Sequence, residues 1–261
     1  MNLHLEGKNA LVCGGSKGIG KAIAIELAKL GANVTLAARS VEMMGNIVTE
    51  LADDHGQKHD FLSVDMSNTD DLIRKIRGLS MQKTLHILIN NTGGPAGGPI
   101  LEAKDPEFES AINLHLIANH NLVKLLWPGM KQSGYGRIIN IISTSVKEPI
   151  PGLGVSNTTR GAVASWAKTL SLELGAYGIT VNNILPGFTR TERLESLIAS
   201  WANQRGLSID EMEKEFCKLI PLGRFAEPEE VGQVAAFLAT PAASYISGVS
   251  LAVDGGRLKG I

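Results

Sequence analysis

Short apolar runs alternate with amphipathic stretches along almost the whole chain. The runs at 9–13, 34–38, 61–64, 85–90, 137–142, 180–185 and 250–253 are mostly continuous in apolar residues, as parallel strands covered on both faces should be. Between them, residues 19–30 place Ile19, Ile23, Leu27 and Leu30 on one helical face and stop at Gly31, and 156–174 and 229–239 show comparable spacing. This strand–helix–strand rhythm predicts an α/β fold. It is an open, doubly wound parallel sheet flanked by helices, with right-handed crossovers and a ligand crevice beyond the carboxyl ends of the strands. No internal repeat, low-complexity tract or linker interrupts the rhythm, so 1–261 reads as a single domain. One stretch departs from it. Residues 188–219 are too long for a turn and carry helical spacing of their own at Leu194, Leu197, Ile198 and Trp201. Following a sheet strand at the ligand edge, they read as a helical lid insertion over a substrate pocket. The competing reading is an excursion that contacts another subunit.

Composition narrows the function classes. With 261 residues, 44% of them hydrophobic and 20% charged, the chain can bury a substantial core. A formal charge of −1 provides no basic field for nucleic acid or anionic lipid, so neither is expected as a partner. Residues 1–8 lack the basic-then-apolar order of a signal peptide, and no apolar run is long enough to cross a bilayer. A soluble, cytoplasmic protein is the expectation. Cys13 and Cys217 form no C-x-x-C spacing and read as packed or free thiols. His55 and His59 are four apart, but Gly56 intervenes and no third ligand is near. They read as solvated histidines, with no metal expected.

The densest chemical signal is Cys13-Gly14-Gly15-Ser16-Lys17-Gly18-Ile19-Gly20, set between the first strand and the first helix. Glycines let the chain turn tightly and let an anion approach closely, and the N–H groups opening the helix receive a pyrophosphate. In that setting the run predicts a Rossmann-type dinucleotide site. About twenty residues on, an NAD site usually carries an acid for the ribose hydroxyls; here the chain reads Leu36-Ala37-Ala38-Arg39-Ser40. A guanidinium fork matches phosphate geometry, so Arg39, Ser40 and Lys17 are assigned to a 2′-phosphate and the cofactor is expected to be NADP(H).

These residues resemble the short-chain dehydrogenase/reductase family, and within it the single-domain β-ketoacyl-ACP reductases, over nearly the whole chain. The likeness rests on Gly14 to Gly20, on Val64-Asp65, on Asn90-Asn91-Thr92-Gly93 where the family has Asn-Asn-Ala-Gly, and on Asn113 in Ile112-Asn113-Leu114. It continues through Ser143 after the 137–142 run, Pro186-Gly187 with Thr189 and Thr191, and Ile246-Ser247-Gly248 to Asp254-Gly255-Gly256. The resemblance implies that Asp65 faces the adenine and that Asn91, Gly93, Pro186, Gly187, Thr189 and Thr191 line the cofactor. It also implies that Ser143 donates to the substrate oxygen and that Asn113 anchors a water chain. A homotetramer or homodimer is implied as well, paired through helices such as 156–174, although its Ala162, Val163, Trp166 and Leu170 equally suit packing on the sheet.

One motif fails. The family carries Tyr-x-x-x-Lys about thirteen residues beyond the catalytic serine, whereas this chain has Ser156-Asn157-Thr158-Thr159-Arg160. No register shift restores it, because no Tyr occurs between Tyr135 and Tyr177 and no Lys between Lys147 and Lys168. A serine hydroxyl is far less acidic than a phenol, and an arginine keeps its proton at neutral pH. Neither replaces the general acid directly. Arg160 lies one helical turn from Ser156, so its charge is positioned to stabilise an alkoxide, grip a substrate carboxylate or hold the nicotinamide ribose. The competing reading makes Ser156 a helix N-cap and Arg160 a surface cation. The expected function is an NADP(H)-dependent oxidoreductase that interconverts a carbonyl and an alcohol on a small molecule, with atypical proton delivery through Ser143, Asn113, Ser156 and Arg160. The alternative is a catalytically silent dinucleotide-binding relative acting as a sensor or assembly partner.

Overall fold

Seven strands, all parallel, form one sheet in the order β3-β2-β1-β4-β5-β6-β7. The computed structural model describes residues 1–260. The strands are β1 (Asn9–Cys13), β2 (Asn33–Ala38), β3 (Asp60–Ser63), β4 (Ile87–Asn90), β5 (Gly136–Ile141), β6 (Ile179–Pro186) and β7 (Ser250–Val253). Each lies within two residues of the run that foretold it. The order reverses at β1, where the chain crosses to β4, and the crevice that opens at such a switch point is where α/β sheets bind ligands.

Helices cover both faces. They are α1 (Gly18–Lys29), α2 (Val41–Glu50), α3 (Thr69–Gln82), α4 (Asp105–Ile112), α5 (Ala118–Ser133), α6 (Gly154–Leu174), α7 (Glu192–Arg205), α8 (Ile209–Lys218) and α9 (Pro228–Ala239). The period of two along β1 divides its side chains. Ala10 and Val12 join Ile23, Leu27, Val231 and Ala235 on one face, while Leu11 and Cys13 join Leu72, Ile76, Leu122 and Leu126 on the other. Burial on both faces explains why the strands read as unbroken apolar runs instead of alternating ones.

Residues 188–219 form two helices with a small core of their own. Leu194, Ile198 and Ala202 of α7 meet Met212 of α8, Ile220 and Phe225. Phe216 stacks edge-on against Phe188 and lies tilted over Trp201, each at 4.9 Å between ring centroids. Thr191 caps α7 by accepting from the Leu194 N–H, and Gly206 ends that helix in the left-handed region. Among the described residues no helix is long and apolar enough to cross a membrane.

Candidate active site

The loop from β1 into α1 is closed by glycines that nothing else fits. A Cβ on Gly20 would stand 2.1 Å from the Gly14 carbonyl oxygen, and one on Gly14, whose φ is +60°, would stand 2.5 Å from the Asn91 carbonyl. The Asn91 amide locks the turn from beneath by donating to the carbonyls of Cys13 and Gly14, both at 3.3 Å. Ser16 is half-buried in the loop and Ile19 packs onto the core. Helix α1 begins with no side-chain cap and no acid in its first turn. Its first N–H groups and its positive dipole end are therefore left for an anion.

The residues assigned to the adenosine end behave differently from one another. Arg39 is exposed, and its charge reaches Asp65. Bonds from the Ser67 hydroxyl and N–H, with a smaller contribution from Arg39, hold the Asp65 carboxyl below the ordinary range. Ser40 caps α2, accepting from the Met43 N–H at 3.4 Å. Lys17 reaches across to Glu192 at the start of α7, so its charge joins the glycine loop to the inserted helices.

The residues expected to be catalytic gather around the ends of β4, β5 and β6. Ser143 has extended backbone angles, and its Oγ accepts from the Ser145 N–H at 3.0 Å. That bond leaves the hydroxyl proton free to donate elsewhere. Asn113 opens a π-helical turn, Asn113–Ile117, between α4 and α5; its carbonyl accepts from Ala118 and its side chain is exposed. Gly93 has open space where a side chain would stand. A Cβ on Gly187 would meet Asp254 Cα at 2.7 Å, so the chain after Pro186 runs tightly against the C-terminal segment. Thr189 is buried and donates to the Gly187 carbonyl.

The structure corrects both parts of the cap-and-surface reading of Ser156 and Arg160. Helix α6 starts two residues earlier than its apolar spacing suggested, with Leu153 at the N-cap, so Ser156 sits inside the first turn, half-buried. Arg160 is only 8% exposed. It donates from Nη1 to the Ile141 carbonyl at 3.0 Å and from Nη2 to the Thr92 carbonyl at 3.4 Å, thereby tying the ends of β5 and β4 together. Burial, reinforced by the charge of Arg193, lowers its pKa to about 10, which leaves it charged throughout the neutral range. On α6, Val163 is fully buried and Trp166 and Leu170 pack partly buried against the core, while Ala162 is half-buried.

Two neighbours escaped the sequence reading, and a third, Thr92, was marked there only as a departure from the family. Arg193 of α7 donates to the Pro95 carbonyl in the glycine-rich loop after β4. Thr92, where the resembled family has alanine, shares a 2.5 Å hydrogen bond through its Oγ1 with His115 Nδ1. His115 lies inside the π-turn, and burial first, then the Arg160 charge, pushes its pKa down to about 2. The Thr92 substitution was the one visible signal. Neither His115 nor Arg193 belongs to a motif or spacing that marks it. Elsewhere, His59 accepts from the Val34 N–H and donates to the Ala52 carbonyl, holding β2 to the segment before β3. Cys13 and Cys217 are both free, and burial pushes the Cys13 thiol up to about 12.

The fold, the glycine loop at the switch point and the serine beyond β5 define a class of dinucleotide-dependent oxidoreductase. A family model described as enoyl-(acyl carrier protein) reductase matches residues 14–257, and the chain belongs to the short-chain dehydrogenase/reductase family. It is 34% identical over 257 residues to the 3-oxoacyl-[acyl-carrier-protein] reductase FabG of Chlamydia muridarum, covering 98% of this chain and 99% of that one. It is 30% identical over 258 residues to the NADPH-dependent reductase BacG of Bacillus subtilis, covering 97% and 99%. Among solved structures, L-sorbose reductase from Gluconobacter frateurii, complexed with NADPH and L-sorbose, superposes with a TM-score of 0.93 at 30% identity over the whole of both chains.

Proposed function

We propose that this protein is an NADP(H)-dependent oxidoreductase that interconverts a carbonyl and an alcohol on a small molecule and delivers the proton without a phenol. The reading is carried by Arg160, a buried cation held between the ends of β4 and β5 in the place where the family has a lysine. The uncapped start of α1 suits a pyrophosphate, Arg39 suits a 2′-phosphate, and the open space at Gly93 leaves room for the rest of the dinucleotide. Asn91, Pro186, Gly187, Thr189 and Thr191 shape the remainder of that groove. When bound, NADPH supplies a hydride to the carbonyl carbon and leaves as NADP+, so the alcohol oxygen gains one proton from another source.

Ser143 steers the substrate. Its Oγ already accepts from Ser145, so its own proton is directed outward to the substrate oxygen. Arg160 supplies fixed positive charge for the developing alkoxide inside a site of low dielectric. The proton then follows from solvent, with Asn113 and Ser156 both exposed enough to meet water. A missing general acid costs about a hundred- to ten-thousandfold in rate, while fixing two reactants in place recovers several powers of ten. The inserted helices act as a lid, hinged by the Lys17–Glu192 pair and by Arg193 on Pro95. The protein works in the cytoplasm as a homotetramer or homodimer, a state that sedimentation at micromolar concentration reads directly.

NADPH oxidation over a panel of carbonyl compounds tests this reading. Turnover is expected on at least one, with Arg160→Ala lowering kcat/KM by about a hundredfold or more and Ser156→Ala by less than about fivefold. NADPH binding without turnover on any compound would establish the silent relative instead.

A further inference from the structure

Two guanidinium groups meet beside Gly94, and among the described residues neither has a carboxylate partner. An ideal Cβ on Gly94 would lie 3.7 Å from Arg193 Nη2, 3.8 Å from Arg193 Nε and 3.9 Å from Arg160 Nη2. A guanidinium has five N–H donors in a planar fork. Arg160 uses two on the Ile141 and Thr92 carbonyls, and Arg193 uses one on the Pro95 carbonyl. The environment of each lowers its pKa through burial, with no acid opposing that effect. Glu192, next to Arg193 in the chain, is paired with Lys17 instead.

An uncompensated buried cation next to a second cation is costly to fold. The arrangement becomes favourable when an anion joins them, because a carboxylate accepts two N–H bonds from each fork and cancels their repulsion. The Gly93-Gly94-Pro95-Ala96-Gly97-Gly98-Pro99 loop runs beside both forks and has almost no side chains, and nothing lies within 4 Å of where a Cβ on Gly93 or Gly98 would be. This loop therefore puts little side-chain bulk beside the two forks.

We infer that the substrate is an oxo acid, or the matching hydroxy acid, whose carboxylate is held between Arg160 and Arg193 while its carbonyl is presented to Ser143. This rests on the reading of the site as NADPH-dependent carbonyl reduction. It adds a second role to Arg160 and the first role to Arg193. It also ties recognition to lid position, because Arg193 arrives on α7.

The test uses NADPH-loaded protein and two matched pairs of probes, benzoate with benzamide and acetoacetate with acetoacetamide. Each probe is titrated by the fluorescence of bound NADPH and by the shift in melting temperature. At least one acid should bind about tenfold or more tightly than its amide, the factor lost with one hydrogen bond to a charged group, and should raise Tm where the amide does not. Arg193→Gln should shrink the gap to within about twofold, and Arg160→Lys should keep part of it. Arg77→Gln, on an exposed residue of α3, should leave the gap intact. Equal binding of acid and amide in both pairs, no binding by either acid, or a preference that survives Arg193→Gln overturns the inference. Failure to take up NADPH at all, read first in the same titration, defeats the parent reading and the substrate role with it.

Discussion

At the scale of single residues, the site is organised around a charge that the chain buries at a cost. Arg160 would be unremarkable on the surface; at 8% exposure it dominates its neighbours. The clearest consequence is His115, whose imidazole is kept neutral by burial and by that charge, with a pKa near 2. In the unfolded chain the same ring titrates near 6.5. Between those values the unfolded state binds the extra proton, so this contribution to stability is complete above pH 6.5 and declines as the pH falls toward 2. The decline amounts to at most about 1.4 kcal/mol per pH unit. Replacing His115 with Gln removes the titration. Urea unfolding of His115→Gln from pH 6.5 to 4.5 should show a slope with pH shallower by up to that amount, and an unchanged slope would place the acid sensitivity elsewhere. Sequence reading reached Arg160 and Ser143 because a motif and its failure marked them. It did not reach His115, since a histidine on an apolar helical stretch is indistinguishable from a core residue until its neighbours are known.

At the scale of elements, four neighbouring strands are joined through their side chains as well as their backbones. Asn90, Asn140, Asn183 and Ser250 stand in register across β4, β5, β6 and β7. Asn90 donates to Asn140 at 2.8 Å, Asn140 to Asn183 at 2.9 Å and Asn183 to Ser250 at 3.0 Å. The row lies just before Asn91, Ser143 and Gly187, so it fixes the relative height of the strand ends that display them. Asn140→Ala would strand the Asn90 amide and the Asn183 oxygen in a dry interior. A loss of about 2 to 4 kcal/mol in unfolding free energy is expected, measurable by denaturant titration, and a loss under about 0.5 kcal/mol would show the row to be dispensable. The strands themselves were legible because burial on both faces makes them continuous in apolar residues. The row was not, because three asparagines at unrelated positions carry no periodic signal until the register aligns them. The start of α6 was misplaced for a related reason: Gly154 and Val155 add about half a turn with little amphipathic contrast, and Leu153 caps it with no hydrogen-bonding side chain.

At the scale of the whole molecule, one sheet brings the glycine turn before α1, a buried arginine and the α7–α8 pair to the same edge. That edge is the switch point between β1 and β4. The fold and the tight glycine turn before α1 were readable because strand runs and glycines each carry a local signal. The contacts between α7 and the rest were not, since Lys17 with Glu192 and Arg193 with Pro95 join positions 175 and 98 residues apart. Everything assigned to this edge depends on a phosphorylated dinucleotide settling at the start of α1 with its 2′-phosphate on Arg39. Calorimetric titration of the purified protein with NADPH and with NADH, repeated on Arg39→Ala, measures this directly. NADPH should bind about tenfold or more tightly than NADH, and Arg39→Ala should erase that difference while leaving NADH affinity nearly unchanged. No uptake of either nucleotide, or a preference for NADPH that survives Arg39→Ala, would contradict it.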